Sequence, residues 1–133
     1  MHADPLNANR VWEGNAAFSQ WIVQSWDVLG AAMSGPVLEL GAATGALAAW
    51  LVMRSVAMTS TDAADDGSKI AAQIAATFKL NSLPPPNHIE HNWGDPVPES
   101  LRGFPLILAN DLLVYVESYP LLVGKSNYNA MRL

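Results

Sequence analysis

The spacing of apolar residues changes period several times along the chain. Between Val11 and Gly30, residues Trp12, Ala16, Phe18, Trp21, Ile22 and Trp26 recur at mixed helical spacings, and Gly30 supplies a stop. This predicts a helix flanking a sheet, with Trp21 and Trp26 in the core. Ser34, Gly35 and Pro36 form a turn, after which Val37 to Leu40 read as a short strand closed by Gly41. Ala46 to Met53 contains good helix formers, and Thr44 is its expected cap. "SVAMTSTD" is rich in Val and Thr and predicts a second strand ending on Asp62. Ile70, Ile74 and Phe78, four apart, mark the buried stripe of a helix that ends at Asn81.

"LPPPN" is a rigid connector, since three successive prolines remove three backbone donors. "HIEHNW" predicts a third strand of modest length and "GDPVPESLRG" a loop. "FPLILAN", Phe104 to Asn110, is a continuous apolar run expected to be buried on both faces of a sheet. One more short helix is expected in the tail, with Ser118 as its cap and Pro120 in its first turn.

Strands alternating with helices imply an α/β fold with a parallel, Rossmann-like sheet and right-handed crossovers. Ligands in such sheets bind outside the carboxyl ends of the strands, where the strand order reverses. That directs attention to 39–45, Asp62, Trp93 to Asp95, and Asn110 with Asp111. The chain has 133 residues, half of them hydrophobic, which suits one domain. It divides into an N-terminal flanking helix over 1–35, cofactor-scale strand-helix units over 36–123 and a polar tail over 124–133.

A net charge of -5 argues against a nucleic-acid partner, whose binding needs clustered Lys and Arg. It suits a cationic ligand or a basic protein. Cysteine is absent, so neither disulfides nor thiolate metal sites are expected. The first ten residues do not read as a secretory signal, and no apolar run reaches the roughly 18 residues of a membrane span. The expected setting is cytoplasmic, with no membrane partner.

The turn after the first strand carries the chemistry. Gly41 and Ala46 fit the dinucleotide fingerprint, but Ala43 stands where its middle glycine admits a pyrophosphate. Glu39 would repel two phosphates and attract a positively charged ligand. The spacing Glu39, Gly41, Ala43, Gly45 matches E-x-G-x-G-x-G with the middle glycine changed to alanine, at a position where a positive φ is not expected.

That motif resembles the first motif of the seven-strand S-adenosylmethionine methyltransferases. With "TSTDAADDGSKIAAQIAATFKLN", "HIEHNWGDPVP" and "FPLILANDLLVYVESYPLLV" in order, the chain from about Trp12 to Val123 is similar to the nicotinamide N-methyltransferase-like group, methyltransferase family 16. The characterised members are mostly protein-lysine methyltransferases. The resemblance implies S-adenosyl-L-methionine as cofactor, a protein substrate and a class I methyltransferase sheet with about four of its seven strands present. It assigns cofactor contacts to Trp12, Glu39, Gly41, Ala43, Thr44, Gly45, Asp62, Trp93 and Asn110, and catalytic roles to Asp111 and Tyr115. No metal is implied. Asp62 lies 17 residues beyond Gly45 (62 minus 45), near the offset of about 20 at which a carboxylate meets a ribose diol. Trp93 would stack on the adenine, and Trp12 would close the methionine side.

Plainer readings compete at each position. Gly41 and Gly45 can serve close strand-helix packing, Asp62 can cap the helix beginning near Asp65, Trp93 can be core, and Asp111 can be a turn residue. His88 and His91, three apart on a strand, point to opposite faces and are not expected to share a metal. Only 22 residues follow Asp111 (133 minus 111), so the family's later strands do not fit. The fourth strand would leave an apolar edge open to a partner or to self-association. Three functions therefore stand beside one another: a lysine methyltransferase, a truncated and inactive cofactor-binding or interaction module, and a nucleotide-binding Rossmann protein.

Overall fold

The computed structural model describes residue 11 and residues 13–110 of the chain. Helix α1, Glu13–Gln24, is followed by a four-residue helix α2, Trp26–Leu29, and a 3-10 turn. Strand β1, Val37–Leu40, leads to α3, Ala46–Val52, and then to β2, Met58–Asp62. Helix α4, Lys69–Leu80, precedes β3, His88–Glu90, and a 3-10 turn at Glu99–Leu101 precedes β4, Leu106–Ala109. The strands form one all-parallel sheet in the order β3-β2-β1-β4. This is the Rossmann-like α/β fold expected. Among the described residues, no helix is long and apolar enough to cross a membrane.

The order determines which face each connection covers. Chain progress from β1 to β3 runs one way across the sheet and the step to β4 runs back past β1, so right-handed crossovers lie on opposite faces. Period-2 alternation in β1 separates the two cores accordingly. Val37 joins Ile22, Leu47, Leu51, Met58, Ile70, Ile74, Phe78 and Leu108 on the helical side. Leu38 and Leu40 pack with Val97 and Leu101 from the β3–β4 connection on the other. The stripe Ile70, Ile74, Phe78 is buried as its spacing predicted, and α4 stops at Asn81.

Several expectations need correction. Trp21 and Trp26 are 48% and 39% exposed rather than core. Ile22 occupies the inward position of α1, and its predecessor is rotated about 100° away from it; Trp21 stacks instead on Phe18, with centroids 5.8 Å apart. The third strand ends at Glu90, because Asn92 to Asp95 turn, with Gly94 at φ 95°. The fourth strand is not buried on both faces. Only Leu108 is buried, while Leu106 and Ile107 are half-buried and Ala109 is exposed. Among the described residues β4 ends the sheet and has no neighbour beyond it. The predicted tail helix with Ser118 and Pro120 lies outside the described residues.

Ile74 is fully buried between Ile70 and Phe78. Ile74→Ala is expected to lower unfolding free energy by about 2 to 5 kcal/mol, the range for truncating a core aliphatic, as measured by urea denaturation.

Candidate functional site

The segment joining β1 to α3 is a tight turn with three positive φ angles: Gly41 at 69°, Ala43 at 50° and Gly45 at 77°. Ala43 therefore departs from expectation. The turn twists there to point the Ala43 N–H at Asp62, whose Oδ2 accepts it at 2.7 Å. The other oxygen, Oδ1, accepts the N–H of Ala63 at 2.7 Å. Ala42 N–H reaches the Thr61 carbonyl at 3.1 Å, so the turn is bonded to β2 at two consecutive residues. Asp62 does not cap α4. Asp65 does that, accepting the N–H groups of Lys69 and Ile70 at 3.0 and 3.2 Å.

On its other flank the turn rests against α4. The Thr77 hydroxyl donates to the Thr44 carbonyl at 2.6 Å. A Cβ on Gly45 would stand 2.8 Å from Ile74 Cγ2, so this glycine serves close packing as well as the left-handed backbone. Thr44 does not cap α3 through its side chain. Gly45 is the N-cap residue, and the Thr44 Oγ1 is buried without a partner among the described residues.

Two acids lie on the helical face of the sheet. Glu39 is opposite Ser60 in register, and Ser60 is opposite His88, whose Nδ1 lies 2.9 Å from Ser60 Oγ. Glu39 is 4% exposed, and its Oε2 has no hydrogen-bond partner among the described residues. Burial pushes its carboxyl up to about 8, with the charge of Asp62 adding to the effect. Burial also raises Asp62, opposed by the two backbone N–H groups and by His88, while Asp65 raises it further. His88 is lowered by burial, against the attraction of Asp62 and Glu90. Among the described residues, the charges that act on Glu39 and Asp62 are those of Asp62, His88 and Asp65, and none of them is a Lys or Arg. Arg54 lies over the Trp50 ring and Arg102 donates to the Val97 carbonyl.

The remaining predicted residues enter from β3 and β4. The Asn92 side chain accepts the Ala64 N–H at 3.1 Å, tying the β3 exit to the β2 exit. Trp93, next in sequence, is partly buried against the Leu38 and Leu40 cluster. Its ring thus belongs to the face opposite Glu39. Asn110, just beyond β4, donates from Nδ2 to Asn15 Oδ1 on α1 at 2.6 Å. Sequence reasoning missed Asn15 and Asn92, since a side chain whose partner is distant along the chain leaves no periodic signal. Gly41, Ala43, Gly45 and Asp62 form one unit at the carboxyl ends of β1 and β2, with Trp93 and Asn110 on either side. Trp12, Asp111 and Tyr115 lie outside the described residues.

No group of three or more His, Asp or Glu that could hold a metal occurs among the described residues. An open groove of about 320 Å³ lies at the opposite, amino end of the sheet, lined by Pro36, Asn87 and Phe104, and contains none of the predicted site residues. Compared with models of protein families the chain matches none, and no curated protein matches it.

Two predictions follow from the turn and the acids. Gly45→Ala is expected to destabilise by about 1 to 3 kcal/mol, through left-handed strain and overlap with Ile74. Ala43→Gly is expected to stabilise by up to about 1 kcal/mol by relieving its positive φ; both are read as midpoint shifts in urea. The second concerns pH. Folded Glu39 keeps its proton up to about pH 8 while the unfolded side chain loses it near 4.5, so the folded state binds more protons between these values. Its contribution to stability is complete below pH 4.5, declines as pH rises and levels off above 8. The raised Asp62 acts in the same sense and the lowered His88 in the opposite one. Glu39→Gln is expected to shrink the loss of melting temperature between pH 5 and pH 8.5.

Proposed function

We propose that the turn after β1 and the end of β2 hold S-adenosyl-L-methionine, and that the chain is a methyltransferase whose acceptor is a lysine of a protein. The observation that carries this reading is the Ala43 N–H to Asp62 bond of 2.7 Å, which places an acceptor-only carboxylate against a glycine turn beside the reversal of strand order. A carboxylate has about four lone-pair positions. Two are used by Ala43 and Ala63, and the remainder suit a ribose diol.

The charge pattern favours a nucleoside without phosphates. Glu39 and Asp62 sit by the turn with no Lys or Arg acting on them among the described residues, an unfavourable setting for a pyrophosphate and a favourable one for a cation. S-adenosylmethionine is such a ligand: it carries positive charge and, when bound, supplies an electrophilic methyl group. Gly41, Ala43 and Gly45 would bring backbone close to it, Thr44 would shape the same turn, and Asn110 would bound the far side; stacking of Trp93 on the adenine rests on the family resemblance, since its ring packs against Leu38 and Leu40 on the other face. The roles of Trp12, Asp111 and Tyr115 rest on the family resemblance alone, as does a cytoplasmic setting.

The exposed Ala109 and half-buried Leu106 and Ile107 at the end of the sheet favour a second reading. In it the chain is a cofactor-binding module without activity, completed at β4 by a partner or a second copy.

Calorimetric titration with S-adenosylhomocysteine tests the cofactor, with NAD as the comparison. Binding of the first alone is expected. Asp62→Ala is expected to weaken it by about 1.5 to 3 kcal/mol, the range for hydrogen bonds to a charged group. Equal affinity in the variant, or binding of NAD alone, would remove the reading. Transfer of a labelled methyl group to lysate proteins then distinguishes an enzyme from a binding module.

A further inference from the structure

The last register pair between β1 and β4 is Leu40 with Ala109, so the next residues, Gly41 and Asn110, flank the point where the strand order reverses. Asn110 thus borders the proposed cleft from the side opposite Asp62. Its carboxamide is held by a residue 95 positions away in sequence, Asn15 in the first turn of α1, across 2.6 Å.

We propose that Asn15 is a positioning residue for this cleft: by accepting the Asn110 Nδ2 proton it leaves Asn110 Oδ1 as the acceptor offered to an amino or ammonium group of the bound nucleoside. The inference rests on the cofactor reading above. An asparagine amide has a broad, roughly two-fold χ2 preference, so a free Asn110 would present its NH₂ or its oxygen with little discrimination. Only the oxygen can accept from a protonated amine. Asn15 removes that ambiguity, because its oxygen accepts and so takes the NH₂ side of its partner. The bond joins two half-buried side chains. The bond from Ser19 Oγ to the Asn15 carbonyl is independent of the Asn15 side chain.

That independence separates positioning from folding. Alanine is a better helix former than asparagine, so Asn15→Ala should leave α1 intact or slightly strengthened. Asn15→Asp retains an acceptor and donates nothing, so it holds Asn110 in the same orientation.

The experiment is calorimetric titration of wild type, Asn15→Ala and Asn15→Asp with S-adenosylhomocysteine, with thermal melting of each. Asn15→Ala is expected to bind about tenfold more weakly, as one lost hydrogen bond implies, with a melting temperature within about 5 °C of wild type, because the better helix propensity of alanine offsets part of the lost bond. Asn15→Asp is expected to bind as well as wild type or better. Wild-type affinity in Asn15→Ala, or an Asn15→Asp variant as weak as Asn15→Ala, would overturn the positioning role and leave the cofactor reading standing. Absence of binding to wild type would overturn both.

Discussion

The hydrogen bond from Ala43 N–H to the Asp62 carboxylate joins the two central strands at the end where the chain offers its chemistry. Its energetics explain the odd backbone beneath it. A non-glycine residue in the left-handed region costs about 1 to 2 kcal/mol, and a hydrogen bond to a charged group contributes about 1.5 to 3. The bond therefore outweighs the strain, and Ala43 adopts φ 50° to make it. Gly41 and Gly45 reach similar angles without that strain.

The same bond divides protons between two acids. Asp62 has two backbone donors and an attractive His88, while Glu39 is buried with one oxygen unpartnered and feels Asp62 as a repelling charge. Near neutral pH Glu39 therefore keeps its proton, and the donors and His88 favour the charged form at Asp62 rather than at Glu39. A cation arriving at the turn would favour ionisation of the second acid. A phosphate would meet a carboxylate held in place by the backbone, with no basic side chain acting on it.

Much of this arrangement was legible in the sequence, where a residue's type and its position agree. The apolar run after Pro36, the acid ending β2 and the four-residue spacing of Ile70, Ile74 and Phe78 all carry local signals, and the structure places each as expected. The failures have a common form. Trp21 and Trp26 are core residues by type, but α1 buries only a narrow stripe that Ile22 occupies, and the four-residue α2 that begins at Trp26 buries no side chain. Thr44 is a good cap by type, yet the helix begins in a left-handed turn at Gly45 that aims the threonine elsewhere. Burial of β4 depends on how many strands flank it, which a run of apolar residues does not encode. Ala43 gives no sign of its positive φ, because that angle answers a carboxylate 19 residues further on.

The two sides of the cleft are also held with unequal strength. On the β2 side, a charge-assisted bond and the Ala42 to Thr61 backbone bond fix the turn, and Thr77 and Ile74 of α4 back it. On the β4 side, the side-chain bond that joins α1 to the strand exit among the described residues is amide to amide, a neutral pair contributing about 0.5 to 1.5 kcal/mol. Apolar packing adds to this bond, since Ile22 of α1 is fully buried in the core beside Val37 and Leu108. The side held by the weaker polar bond is the one that a change at Asn15 alters.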